Sequence, residues 1–217
     1  MNKIEVLNKL IDDGVISVVR AETKEEALKI SEACVKGGIH AIEITFTMHG
    51  ADELIQELTK FYQHQKDMVV GAGTVLDVTT ARIAILSGAK FVVSPCFDEA
   101  IAKLCNLYQI PYMPGCMTIT EMKKALESGV DIIKLFPGNT YGPEWIKSVK
   151  GPLPQANFMP TGGVSLDNVA AWIKSGCVAV GIGGNLSRHA KTGDYEQITK
   201  DAREFVKRVE QARRELV

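Results

Sequence analysis

The chain has 217 residues, with 25 Lys and Arg against 26 Asp and Glu, for a formal net charge of -1. That balance argues against a surface built for nucleic acid or an anionic membrane. A hydrophobic fraction of 46% excludes a disordered chain and allows a sizeable core. The five cysteines, Cys34, Cys96, Cys105, Cys116 and Cys177, are odd in number and form no CxxC pair. A disulfide framework or a zinc ribbon is therefore not expected, and reduced thiols fit a cytoplasmic location. The opening MNKIEVLNKLIDDGV is too charged for a signal peptide. No stretch approaches the roughly 18 apolar residues of a membrane span.

In chain order, the first dozen residues predict an extra helix ahead of the first strand. Short β-branched runs then recur at Val15–Val19, His40–Thr45, Met68–Gly71, Phe91–Ser94, Pro111–Met113, Ile132–Leu135, Asn157–Met159 and Val178–Val180. Their spacing of roughly 20 to 27 residues is that of one strand plus one helix in an α/β unit. Between them lie amphipathic stretches. In the first of these, Leu28, Ser31 and Val35 share a face. Gly37-Gly38, Gly88, Gly129 and Gly176 follow the helical patterns, where glycine ends a helix easily. The last stretch, Tyr195 to Leu216, places Ile198, Ala202, Phe205, Val209 and Leu216 near one helical face. Eight such units and no linker predict an α/β fold, a single-domain (β/α)8 TIM barrel over residues 1–217. A doubly wound parallel sheet is the alternative.

Barrel chemistry sits at the C-terminal ends of the strands. Here those ends carry Arg20, Glu43 with Thr45, Gly73-Thr74, Ser94-Pro95, Pro114, Lys134, Thr161-Gly162-Gly163 and Gly183-Gly184. Two of these residues interrupt apolar strands. Side chains alternate faces along a strand. If Ile133 and Leu135 pack on helices, Lys134 points into the barrel. If Ile42 and Ile44 do so, Glu43 and Thr45 point inward. One alternative is a structural ion pair, and another is a lysine that snorkels outward. The pair together points to chemistry. An apolar site disfavours the charged form of a lysine, and a free amine attacks a carbonyl to give a Schiff base. A neighbouring carboxyl group can then shuttle protons.

The glycine pairs carry a second signal. The loops after strands seven and eight form the phosphate site of many such barrels. Glycine lets backbone N–H groups approach an anion, and a helix N-terminus adds partial positive charge. Gly162-Gly163 and Gly183-Gly184 fall at those two strand ends. His40, His49, His64 and His189 show no HxH or HExxH spacing, so no metal site is expected. Cys96, beside Pro95, reads as a small filling residue.

These residues bring a family into view. Ile42-Glu43-Ile44-Thr45, Gly71-Ala72-Gly73-Thr74, Val93-Ser94-Pro95, Ile110 to Gly115, Lys134-Leu135-Phe136-Pro137 and Pro160-Thr161-Gly162-Gly163-Val164 resemble the KHG/KDPG aldolases in kind and in order. The resemblance covers about residues 15 to 205. It implies a homotrimer of barrels, and neither a cofactor nor a metal is expected. It also implies cleavage of 2-keto-3-deoxy-6-phosphogluconate to pyruvate and glyceraldehyde 3-phosphate. By motif match, Lys134 is the Schiff-base lysine and Glu43 the general acid/base. Thr74 and Pro95 line the pyruvate end, Phe136 packs beside the imine, and Thr45, Thr161, Gly162 and Gly163 contact substrate. Two departures stand out. Relatives commonly carry an arginine where this chain has Thr47, so Arg20 is expected to meet the substrate carboxylate instead. A serine often follows the glycine of the last motif. Here Gly184 follows Gly183, so the phosphate is expected to rest on backbone N–H groups, with Asn185 beside them.

A related substrate is 4-hydroxy-2-oxoglutarate, which gives pyruvate and glyoxylate, and the galactonate epimer is another. A non-imine phosphate-binding synthase or epimerase, such as a thiamine-phosphate synthase, is a different enzyme class. It would want an acidic metal cluster, which the sequence does not show. A non-catalytic metabolite-binding barrel would give no reason for an inward Lys and Glu.

Overall fold

The computed structural model describes residues 1–216. Eight strands carry the fold: β1 (Val15–Val19), β2 (Ala41–Thr45), β3 (Val69–Gly73), β4 (Val92–Ser94), β5 (Tyr112–Cys116), β6 (Ile133–Leu135), β7 (Phe158–Pro160) and β8 (Val180–Ile182). All pairings are parallel, in the order β7-β6-β5-β4-β3-β2-β1-β8. A parallel bridge between Thr161 and Gly181 brings the two edges together. The fold is the expected (β/α)8 barrel, with α2 (Lys24–Lys36), α3 (Ala51–Phe61), α4 (Val78–Leu86), α5 (Glu99–Leu107), α6 (Ile119–Glu127), α7 (Glu144–Lys150) and α8 (Val169–Lys174) between successive strands. The short α9 (Gly184–Ser187) and the long α10 (Tyr195–Arg214) follow β8. Among the described residues no helix is long and apolar enough to cross a membrane.

Strand alternation divides the apolar side chains into two layers. Val15, Val19, Ile42, Ile44, Ile133 and Leu135 join the layer packed against the helices. Ile16, Ala41, Val69, Phe91, Val93, Met113, Ile132, Met159 and Ala179 fill the barrel interior. The extra helix, α1 (Lys3–Asp13), contributes its Val6 and Leu10 to that interior cluster. α1 therefore closes the end of the barrel opposite the mouth and leaves the C-terminal strand ends open. An Asn2–Glu5 capping box starts it. Arg213 of α10 holds its other end, donating to the carbonyl oxygens of Ile11, of Asp12 at 2.5 Å and of Val178 at 2.7 Å. The first two of these carbonyls lie in the last helical turn, where they lack intrahelical partners.

Some expected boundaries shift. β8 runs over Val180–Ile182 rather than Val178–Val180, because its register is set by Val15–Ser17 of β1. β3 and β5 continue past their β-branched residues into Ala72-Gly73 and Pro114-Gly115-Cys116. The buried face of α2 centres on Ala27, Ile30 and Cys34, with Leu28 and Val35 at its margin. Leu216 lies beyond α10 and is exposed, while Ala212 completes the apolar face.

Candidate active site

The inward positions change character along the barrel axis. Beyond the apolar floor come Glu43 on β2, Lys134 on β6 and Thr161 after β7, all buried. Glu43 shares its face with Ala41, and Lys134 shares its face with Ile132 of the interior cluster. Both therefore point into the barrel, as their alternation predicts. Glu43 is fully buried, and neither carboxylate oxygen accepts a hydrogen bond among the described residues. Burial pushes its pKa up. The positive charges of Lys134 and Arg20 pull the other way without reversing the shift. A buried carboxyl group with no hydrogen-bond partner is a poor structural element. It is a ready proton carrier.

The Lys134 ammonium lies 4.9 Å from the ring centroid of Phe136, two residues along the same strand direction. Lys134 pairs with Gly115 on one side and Met159 on the other. Glycines make room for this constellation. A Cβ on Gly73 would stand 1.9 Å from Glu43 Oε1, and one on Gly181 would stand 2.3 Å from Thr161 Oγ1. The strands continue through glycines here because functional side chains occupy the interior. Thr161 Oγ1 is itself buried without a partner, another polar group awaiting one.

A cavity of about 460 Å³ opens at this end of the barrel. Its walls are Val18, Arg20, Phe136, Thr161, Gly162, Gly163, Val164, Gly181, Gly183, Gly184, Asn185 and Ser187. The size suits a small metabolite. Phe136 links the cavity to Lys134. Two depressions of about 650 Å³ lie elsewhere, one between α2 and α10 and one beside α1 and the start of β3. Lys134 and Glu43 are wall residues of none of the three. Only the smaller cavity lies at the C-terminal strand ends and shares Phe136, the ring beside the Lys134 ammonium, and the buried Thr161, so chemistry selects it.

The other expected site residues divide into groups. Gly162 and Gly163 have φ of +89° and +76°, which favour glycine, and Gly163 packs against Asn139. Their loop is stiffened by Asn168, which donates to the Gly163 carbonyl at 2.8 Å and accepts from Ser165 N–H at 2.9 Å. Asn185 donates to the Val164 carbonyl at 2.6 Å and ties the two glycine loops together. α9 has only four residues, so the contribution expected from its dipole is small and the amides matter more. Thr45 is fully buried, with its hydroxyl 3.1 Å from the Val19 carbonyl oxygen and 3.0 Å from the Thr47 hydroxyl. Thr74 follows Gly73 with φ +53°, a conformation that a β-branched residue rarely adopts. Such backbone strain amounts to about 1–3 kcal/mol and gathers at functional sites. Pro95 presents its carbonyl to Gly115, where a Cβ would stand 2.0 Å away. Thr45, Thr74 and Pro95 do not line the cavity that holds Arg20 and the glycine loops.

Sequence reasoning missed Val18, Val164, Gly181 and Ser187 as cavity walls. Only Gly181, a glycine within an apolar run, left a signal. No group of three or more His, Cys, Asp or Glu able to hold a metal occurs among the described residues.

Comparison with known proteins identifies the family. Residues 6–201 match the family model described as KDPG and KHG aldolase. The 2-dehydro-3-deoxy-phosphogluconate aldolase of Treponema pallidum is 35% identical over 189 residues, 85% of this chain and 88% of its own. The 2-dehydro-3-deoxy-6-phosphogalactonate aldolase of Escherichia coli K12 is 31% identical over 199 residues, 91% of this chain and 95% of its own. The crystal structure of KDPG aldolase from Legionella pneumophila, with pyruvate captured at low pH as a covalent carbinolamine intermediate, superposes with a TM-score of 0.82 at 27% identity. That match covers 90% of this chain and 95% of the other. With Lys134 and Glu43 set inward beneath the glycine loops, the chain belongs to the KDPG and KHG aldolase family and is a lyase of the aldolase kind.

Proposed function

We propose that the chain cleaves 2-keto-3-deoxy-6-phosphogluconate reversibly to pyruvate and glyceraldehyde 3-phosphate through a Schiff base on Lys134. The observation that carries this reading is the inward Lys134 facing a buried, unpartnered Glu43. The lysine amine adds to the C2 carbonyl, and loss of water gives an iminium. Glu43 accepts the C4 hydroxyl proton as the C3–C4 bond breaks, and the bonding pair moves into the enamine. Glyceraldehyde 3-phosphate leaves. Protonation at C3 and addition of water then release pyruvate and restore the amine. Phe136 packs beside the imine, Thr74 and Pro95 border the pyruvate end, and Thr45 supports that end. Thr161, Gly162, Gly163, Gly183 and Gly184 contact the rest of the substrate, and Arg20 supplies a cation for one of its two anionic ends. The reaction needs no cofactor or metal.

The galactonate epimer differs only in configuration at C4, and the similarity to a phosphogalactonate aldolase makes it the second candidate. The compound 4-hydroxy-2-oxoglutarate shares the pyruvate half and serves as a side substrate. Pyruvate release from all three compounds separates these readings. The gluconate compound is expected to show the highest kcat/KM. A higher value for the galactonate compound would reverse the epimer assignment, and no pyruvate from any of them would overturn the aldolase reading.

We also propose a cytoplasmic homotrimer. All five cysteines are unpaired, which suits a reducing compartment. Leu76, Ile83, Leu86, Leu107 and Tyr108 expose apolar surface on and around α4 and α5, and such patches mark interfaces. Sedimentation equilibrium is expected to give three times the 23.7 kDa chain mass. A species at the single-chain mass across micromolar concentrations would contradict the trimer.

A further inference from the structure

Lys134 pairs with Gly115 of β5, and the Pro95 carbonyl stands against that glycine. A Cβ on Gly115 would lie 2.0 Å from the Pro95 oxygen and 3.1 Å from the Cys96 nitrogen. The Pro95–Cys96 peptide is thus one contact removed from the strand that carries the lysine. We infer that Tyr112, with Ser94 as its partner, is a positioning residue that fixes this peptide and so sets the pyruvate end of the site from outside the barrel interior, an inference that rests on the aldolase reading.

Strand alternation turns Tyr112 away from the reacting centre. Its neighbour Met113 fills the barrel interior, whereas Tyr112 joins the layer packed against the helices. Tyr112 sits opposite Val92 of β4, and its hydroxyl reaches the end of that strand. There it lies 2.5 Å from Ser94 Oγ, accepts from the Asp98 N–H at 3.2 Å and stands 3.3 Å from the Cys96 carbonyl oxygen. Ser94 Oγ donates to the same carbonyl at 2.9 Å. Each hydroxyl has one proton to give. The groups therefore form one directed chain, from the Asp98 N–H to Tyr112, from Tyr112 to Ser94 and from Ser94 to the Cys96 carbonyl. Both side chains are buried. Burial pushes the Tyr112 pKa up, so the phenol keeps its proton and acts as a fixed donor.

That chain spans the whole turn after β4. Pro95 lies between Ser94 and Cys96, and its ring fixes its own φ. Asp98 closes the turn as the N-cap of α5, where its side chain accepts from the Ile101 N–H at 2.8 Å. The turn is tied at its start by Ser94, in its middle at Cys96 and at its end through Asp98. The tie comes from β5, the strand that also carries Gly115. One phenol thus sets the turn against the strand whose Gly115 pairs with Lys134. Reacting groups tolerate little displacement, and a misplacement of about 1 Å can cost as much as 10² in rate.

Tyr112→Phe keeps the ring and removes only the hydroxyl. Amide hydrogen exchange at Asp98 is expected to quicken, because that N–H loses its acceptor. The kcat/KM is expected to fall about three- to tenfold, the scale of one neutral hydrogen bond. The loss should be equal for 2-keto-3-deoxy-6-phosphogluconate and 4-hydroxy-2-oxoglutarate, which share the pyruvate half. The rate of borohydride trapping at low pyruvate should fall by the same factor. Ser94→Ala is expected to lose less, since Tyr112 still reaches the Cys96 carbonyl. The double variant should lose no more than Tyr112→Phe alone, as for residues that act as a unit. Faster exchange and a lower Tm, with trapping and kcat/KM unchanged, would make Tyr112 a structural residue only and overturn the inference. So would a loss confined to the phosphorylated substrate, or additive losses in the double variant. If the parent enzyme releases pyruvate from neither compound, the aldolase reading itself has failed, which is a separate result.

Discussion

Lys134→Met is expected to remove turnover, with kcat falling by about 10⁴ or more, the scale on which loss of a covalent nucleophile acts. Methionine suits the position because it is unbranched and close in length, and the surroundings are Phe136, Met159 and the apolar floor. The variant also loses the positive charge that draws the Glu43 pKa down, so Glu43 stays protonated more readily and no unpaired buried carboxylate is created. The fold is therefore expected to survive, and circular dichroism with a thermal melt checks this alongside the rate. A well-folded Lys134→Met enzyme that keeps more than about a tenth of the parental kcat would exclude an imine at this residue.

Glu43→Gln is the second large effect. Glutamine keeps the shape that Gly73 accommodates but removes the titrating group. A general acid/base contributes roughly 10² to 10⁴ in rate, and kcat is expected to fall by that much while pyruvate still binds. A loss below about threefold would reduce Glu43 to a structural partner of Lys134. The pH dependence follows from the direction of its shift. Burial raises the Glu43 pKa above the ordinary 4.5, and the carboxylate form is the one that accepts the C4 hydroxyl proton. The acid limb of kcat/KM should therefore lie above the ordinary carboxylate range and should disappear in Glu43→Gln.

Stability moves the other way. Below the ordinary pKa the group is neutral in the folded and unfolded chains alike. As pH rises through that value toward the raised one, the unfolded chain ionises first and folding stability falls. The loss is complete above the folded value. Glu43→Gln removes this penalty, so at neutral pH the variant is expected to be at least as stable as the parent. Lost activity would then not reflect unfolding.

The parts of the site legible in the sequence share one physical property. Alternation along a strand is local, so Glu43 within Ile42-Glu43-Ile44 and Lys134 within Ile133-Lys134-Leu135 are turned inward by their immediate neighbours. The role of α1 was half legible. Its helix is amphipathic, but the sealing of the barrel floor depends on Phe91 and Met113, far along the chain, as well as on Ile16 of the adjacent β1. Contacts set by closure were not legible. Arg20 stands beside the Gly183 loop only because β1 and β8 meet. β3, β5 and β8 end beyond the β-branched runs that mark them in the sequence, for a related reason. Their last residues include Gly73, Gly115 and Gly181, which have low strand preference and are chosen for the room they leave to Glu43, Pro95 and Thr161. The left-handed Thr74 and the Thr45–Thr47 hydroxyl couple likewise have no local sequence signature.

The central claim is that Lys134 forms the imine, and the most direct measurement is a chemical trap. The enzyme is incubated with pyruvate, reduced with borohydride, digested and mapped by peptide mass spectrometry. The account predicts one reduced pyruvyl adduct, on the peptide containing Lys134, formed in step with loss of activity and absent from Lys134→Met. An adduct on a different lysine, with activity lost at the same rate, would contradict it.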